Sequence, residues 1–202
     1  MQPTARVQRT LVIFSLALAV LASTPIAGRT DGVSGQARGI QATTFGLTGA
    51  QTTSLADTGT LNSASDARNA SGVSGAVGSL VRSGVLHAAS IGATDRVSSE
   101  ASVADLAINV AGLTIGADFV MSRARAAADG TSSALVDISG MTIGGAPVAV
   151  TGEPNQTLIL PGGRLVINEQ QTSAASSSVA ALHVIIDGVA DVVVASASAA
   201  AR

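Results

Sequence analysis

Two histidines are where any side-chain chemistry in this 202-residue chain would have to start. His87 sits in Val85-Leu86-His87-Ala88-Ala89 and His183 in Leu182-His183-Val184-Ile185, each inside an apolar run. An imidazole can act as general acid or base, or hold a metal through a ring nitrogen. Neither histidine has a Cys, His, Asp or Glu at ligand spacing along the chain, so each reads as a partly exposed strand histidine whose hydrogen bonds are met locally. The acids Asp95, Glu100, Asp105, Asp118, Asp129, Asp137, Glu153, Glu169, Asp187 and Asp191 are scattered, and no loop carries the alternating Asp/Asn ligands and distal Glu of a helix-loop-helix calcium site. Serine is abundant, yet Gly72-Val73-Ser74-Gly75 lacks the Gly-x-Ser-x-Gly spacing of a nucleophile elbow. With no cysteine there is no thiol nucleophile, no thiolate ligand and no disulfide. The densest polar cluster, Asn168-Glu169-Gln170-Gln171, follows a predicted hairpin and reads as a loop. On these grounds no catalytic residue, cofactor site or metal ligand is assigned, and the expected class is a non-enzymatic structural or interaction module. An extracellular hydrolase using acids gathered by the fold, or a binder of calcium or a small ligand, are the alternatives.

The composition then limits what can hold such a protein together. Alanine, serine and glycine make up 84 of the 202 residues, Trp and Tyr are absent, and Phe occurs three times. An alanine methyl contributes about 0.8 kcal/mol on burial, against about 1.5–3 kcal/mol for a Leu or Phe side chain. Many aligned contacts are therefore needed, and long sheets packed closely supply them better than a helical bundle does. All eleven basic residues are arginines against thirteen acids, the mark of a GC-rich genome more than of a function. A mildly acidic chain has no electrostatic reason to seek nucleic acid or an anionic membrane.

The first 28 residues read as a secretory signal peptide. Arg6 and Arg9 form its positive head, Leu11 to Ala22 its apolar segment, and Ser23 to Gly28 a small-residue region fit for cleavage after Ala27 or Gly28. The expected address is secreted or extracellular, including the cell surface. The mature part, residues 29–202, has the size of one domain. No hydrophobic tail, sorting signal or second membrane segment is read before Arg202, so release from the cell is the expectation.

Alternation with period two dominates after the leader. It predicts a strand over Arg38 to Leu47 with Ile40, Ala42 and Thr44 on one side. Ala104, Leu106, Ile108 and Val110 share a face of a second strand. Ile115, Ala117, Phe119 and Met121 share a face of a third. A helix over residues 98–111 is outweighed by β-favouring Ser, Val and Ile, and Arg123 to Ala128 is too short to stand as one. Pro161-Gly162-Gly163 marks the clearest hairpin, between Thr157 to Leu160 and Leu165 to Ile167. Two last strands, Ala181 to Ile186 and Asp191 to Ala197, flank Asp187-Gly188. Gly112-Leu113-Thr114-Ile115-Gly116-Ala117 is echoed by Gly140-Met141-Thr142-Ile143-Gly144-Gly145, which predicts two similar hairpins.

Several of these segments together resemble a known family. Gly140 to Val148, Pro154-Asn155-Gln156-Thr157, the Pro161-Gly162-Gly163 turn, Val166 to Gln170, Leu182-His183-Val184 and Asp191 to Ala197 look like the bacterial choice-of-anchor P proteins, over roughly Gly39 to Ala197. The resemblance implies an exported, mostly β surface or extracellular protein and carries no catalytic residues. The expected fold is all-β, two antiparallel sheets packed as a sandwich or jelly roll, with a short β-solenoid as the alternative. Such a molecule would act by shape, its exposed strand edges taking up a strand from an unknown protein or matrix partner or from a copy of itself.

Overall fold

The computed structural model describes residues 32–202, all of the regular structure being β. The predicted signal peptide lies outside the described residues. Two antiparallel sheets face each other, as the alternation and the small-residue composition require. The first contains β1 (Val33–Gly46), β2 (Gly49–Asp57), β12 (Gln156–Leu160), β13 (Gly163–Ser173), β14 (Ser176–Ile186) and β15 (Ala190–Ala201), in the order β12-β13-β14-β15-β1-β2. The N-terminal strand thus pairs with the C-terminal one, from Val33 opposite Ala201 to Thr44 opposite Ala190.

The second sheet is built on one long hairpin, β7 (Arg96–Val110) and β8 (Leu113–Ala127), paired over its whole length. At about 3.3 Å per residue each of these strands spans about 50 Å. Shorter strands flank each half of it. Beside β7 lie β6 (Leu86–Ala93) with β3 (Ala67–Gly72) on one half, and β5 (Val81–Ser83) with β4 (Gly75–Val77) on the other. Beside β8 lie β9 (Ser132–Ser139), then β10 (Thr142–Ile143) with β11 (Ala146–Pro147).

The strands change their buried side partway along. In β7 the buried positions are Val97, Ser99, Ala101 and Val103, then Leu106, Ile108 and Val110; in β8 they are Ile115 and Ala117, then Val120, Ser122, Ala124 and Ala126. The switch falls at Asp105 and Asp118, which face each other between the Ala104–Phe119 and Leu106–Ala117 pairs. Asp105 is in the left-handed region at φ 50°. An L-residue there turns the chain by one face without changing the register. The first sheet does the same along a continuous row. Asn168 (φ 56°), Ala195 (φ 47°) and Ala56 (φ 50°) alternate across it with Ala181 and Gly39, each at the gap in its strand-to-strand register. Each left-handed alanine costs about 1–2 kcal/mol.

The structure corrects three sequence expectations, the first two through this row. Phe119 and Met121 do not share the buried face of Ile115 and Ala117, and Ala104 does not share that of Leu106, because the period-two count slips by one at the row. Asn168 to Gln171 are not a loop but the middle of β13; the left-handed Asn168, typical of a turn, here sits inside a strand. The echoed glycine segments do not form two similar hairpins: β10 pairs directly with the start of β8, Thr142 opposite Gly116 and Ile143 opposite Ile115. The predicted strands at Arg38, Ala104, Thr114, Ala181 and Asp191 are present, as is the hairpin at Pro161-Gly162, where Gly162 takes φ 72°.

The core divides by side-chain size. Larger residues such as Ile40, Leu86, Ile108, Ile115, Leu165, Ile167 and Leu182 fill one part between the sheets. Toward the other end Val33, Val97, Ala124, Ala126, Val179, Ala197, Ala199 and Ala201 form a cluster of mostly small residues. There the layers meet at Gly35, above the bonded hydroxyls of Ser90 and Ser99, which lie 2.8 Å apart.

A Cβ at Gly35 would fall 2.5 Å from Val97 Cγ1 and 2.7 Å from Ser90 Oγ. Gly35→Ala is therefore expected to cost about 1–3 kcal/mol, read as a lowered denaturation midpoint; an unchanged midpoint would show that the sheets are not in close contact there. The β7–β8 turn offers the opposite test. Ala111 (φ 51°) and Gly112 (φ 76°) both have positive φ, and Ala111 is exposed. Ala111→Asn should raise stability by about 1 kcal/mol, since Asn accepts that conformation in a two-residue hairpin.

Candidate functional site

Antiparallel pairing of β13, β14 and β15 gathers three groups that are far apart in sequence. His183, in the middle of β14, has Nδ1 2.6 Å from Glu169 Oε2 of β13 and Nε2 3.0 Å from Asp191 Oδ1 of β15. This corrects the sequence reading that His183 has no acid beside it: Glu169 is 14 residues away and Asp191 8, and only strand pairing brings them to one ring. The expectation of a partly exposed strand histidine with its polar needs met does hold for His183, whose side chain is 17% exposed.

The geometry determines what this cluster can do. The two carboxylates approach opposite ring nitrogens, so they do not converge on a point where a cation could sit. A glycoside-cleaving pair keeps about 5–9.5 Å of open space between its carboxyl groups. Here the imidazole ring occupies that space. The three side chains lie on the outer face of the first sheet, with Glu169 and Asp191 substantially exposed. Glu169 also borders an open trough of about 390 Å³, floored by Ala180, Ser178 and Ser196 and walled by Gln36, Arg38 and Gln171. His87 is placed elsewhere, exposed on β6 between Ser71 of β3 and Ser102 of β7. The structure does not bring the two histidines together.

A second polar cluster anchors β2 to β1. The Asp57 carboxylate accepts hydrogen bonds from Gln36 Nε2 (2.9 Å), Arg38 Nε (2.8 Å) and the Gly59 backbone N–H (2.9 Å). Arg38 also donates to Gln41 Oε1. Burial alone raises the Asp57 carboxyl, but these hydrogen bonds and the Arg38 charge outweigh it and hold the group below its ordinary value.

Beyond this anchor the β1–β2 hairpin projects from the sandwich. Thr44 to Ser54 are all exposed, and its tip carries Phe45 and Leu47 in solvent. Among the described residues β2 is an edge strand of the first sheet, β12 being the other. Phe45 donates its backbone N–H to Val189 O, on the β15 side of β1. In an antiparallel ladder the bonding direction alternates from residue to residue. Thr43 and Gln41 therefore also face β15, and their partners across the hairpin, Thr52 and Ser54, together with Ala50 opposite Phe45, turn their N–H and C=O groups to the open edge.

Sequence reasoning missed this edge because β2 carries no alternation: Gln51, Thr52, Thr53 and Ser54 are polar on both faces. The signal available was the Gly-containing turn after the Arg38 to Leu47 strand, followed by Thr-rich residues of high β-propensity. In comparisons with known proteins, no family model matches this chain, and no curated protein or solved structure matches it.

A depressed folded-state pKa gives stability that is present above the unfolded value and lost as pH falls through the folded one. Asp57→Asn is accordingly expected to cost about 1–2 kcal/mol at neutral pH. The difference from the parent protein should shrink in acid below the ordinary value of 3.8. A pH-independent difference in urea midpoint would contradict this account of Asp57.

Proposed function

We propose that this protein is a secreted or surface-associated bacterial interaction module that works without catalysis, by offering the β2 edge to an incoming strand. The observation that carries the reading is that edge: Ala50, Thr52 and Ser54, all exposed, turn backbone groups to a side where no strand pairs with them among the described residues. Natural edges are commonly blunted by Lys, Pro, inward-pointing charge or a covering segment. Gly49 to Ala56 contain no charge and no proline. Strand addition needs only such a ladder of donors and acceptors, with side-chain fit adding selectivity.

The exported setting rests on the signal-peptide pattern of residues 1–28, and the resemblance to the choice-of-anchor P proteins accords with a surface or extracellular role. The His183 cluster takes a structural part in this reading, tying β13, β14 and β15 together on their outer face.

Thr53→Lys tests it. Thr53 pairs with the buried Ala42 and thus points to the inner side, yet it is itself exposed on the overhanging hairpin, so a lysine there leaves the core intact. An inward-pointing charge on an edge strand opposes pairing with another edge. The parent protein is expected to associate, by light scattering or by retention on cell-surface preparations, and the lysine variant to lose at least about tenfold in affinity, about 1.4 kcal/mol. Its melting point should be unchanged. A parent protein that neither associates nor is retained overturns the reading, as does a lysine variant that binds equally well.

A further inference from the structure

The free edge of β2 has the geometry to pair with itself, and we infer that its occupant is a second copy of this chain, joined antiparallel about a two-fold axis through Thr52. The inference rests on the strand-addition reading above and names its partner. Residues opposite one another on neighbouring strands share a face of the sheet. A two-fold pairing must therefore set some residue opposite itself.

Which residue that is follows from the direction of the backbone groups. Ala50, Thr52 and Ser54 point their N–H and C=O outward, whereas Gln51 and Thr53, opposite Thr44 and Ala42, spend theirs on β1. Centring on Thr52 places Thr52 against Thr52 of the partner subunit, and Ala50 and Ser54 against the partner's Ser54 and Ala50. All three outward residues are then hydrogen-bonded. Centring on Gln51 or Thr53 pairs only two of them and leaves the third unsatisfied.

Charge and shape agree with this register. Like charges directly opposite each other on adjacent strands destabilise pairing, and Gly49 to Ala56 carry none. Asp57, the nearest charge, is already held by Arg38 and Gln36. Gly49 to Ser54 are exposed on both faces, so the two hairpins meet before the second sheets of the two copies come near. The result joins two six-stranded sheets into one continuous sheet. It also covers the β2 edge, leaving β12 as the outer strand at each end of the joined sheet.

The absence of native cysteine makes a direct test simple. Single variants Gln51→Cys, Thr52→Cys and Thr53→Cys are made in the full chain and oxidised mildly. A disulfide requires Cα atoms within about 7 Å, which this register satisfies for Thr52 against itself but not for Gln51 or Thr53 against themselves. Thr52→Cys is expected to form a covalent dimer at least about tenfold faster than either neighbour, and a mixture of the Gln51→Cys and Thr53→Cys chains to cross-link where each alone does not. Equal cross-linking at all three positions, or a protein that stays monomeric by light scattering at high concentration, overturns the inference. If the protein remains monomeric yet is retained on cell-surface preparations and Thr53→Lys abolishes that retention, self-pairing fails while strand addition stands. Loss of both removes the two together.

Discussion

Close approach of two long pleated layers is the constraint on which everything else here depends. A chain this rich in Ala, Ser and Gly cannot build its stability from a few large anchors, so it extends the area over which small groups touch. The fifteen-residue partners β7 and β8 and the pairing of β1 with β15 provide that area. At Gly35 the separation is so small that no Cβ fits, and the side chains below are serines bonded to each other. Backbone hydrogen bonds complete the work, since long antiparallel ladders leave few buried groups unpaired.

Long strands bring a difficulty that the left-handed row resolves. Sheets twist, and strands of some fifteen residues depart from any one flat partner layer. Along the row each strand rolls by one face, so both halves keep a buried side toward the core although the alternation restarts. The row also organises the second sheet. At Asp105 and Asp118 the flanking strands change over, β6 giving way to β5 and β9 to β10, with Gly84 and Gly140 lying against the two carboxylates where a Cβ would collide. In the first sheet the same row runs between the Asp57 anchor and the β1–β2 hairpin, and the His183 cluster straddles it, with Glu169 on the Asp57 side and His183 and Asp191 on the hairpin side. Structure on either side of it can therefore serve different ends, with an anchored root for β2 below and an overhanging hairpin above.

The contrast between His183 and the β2 edge sets side-chain chemistry apart from the function proposed for this fold. His183 has the residue types of an acid–base site, but its carboxylates flank the ring and leave no room for a reacting group between them. The β2 edge has no reactive side chain at all. Its capacity lies in unpaired peptide groups, which every sequence possesses and only a particular topology exposes.

Much of the architecture was legible in the residues. Period-two alternation marked the strands at Ile40, Leu106, Ile115, Val184 and Val192; Pro161-Gly162 marked a hairpin; and the composition called for two thin, closely packed sheets. These are local or additive properties, set by the pleat and by side-chain volume. The slip in alternation at Asp105, Asn168 and Ala195, the meeting of Glu169, His183 and Asp191, and the free side of β2 were decided only by the tertiary structure. Each depends on which strand lies beside which, and that is a property of non-local pairing that spacing along one chain does not encode.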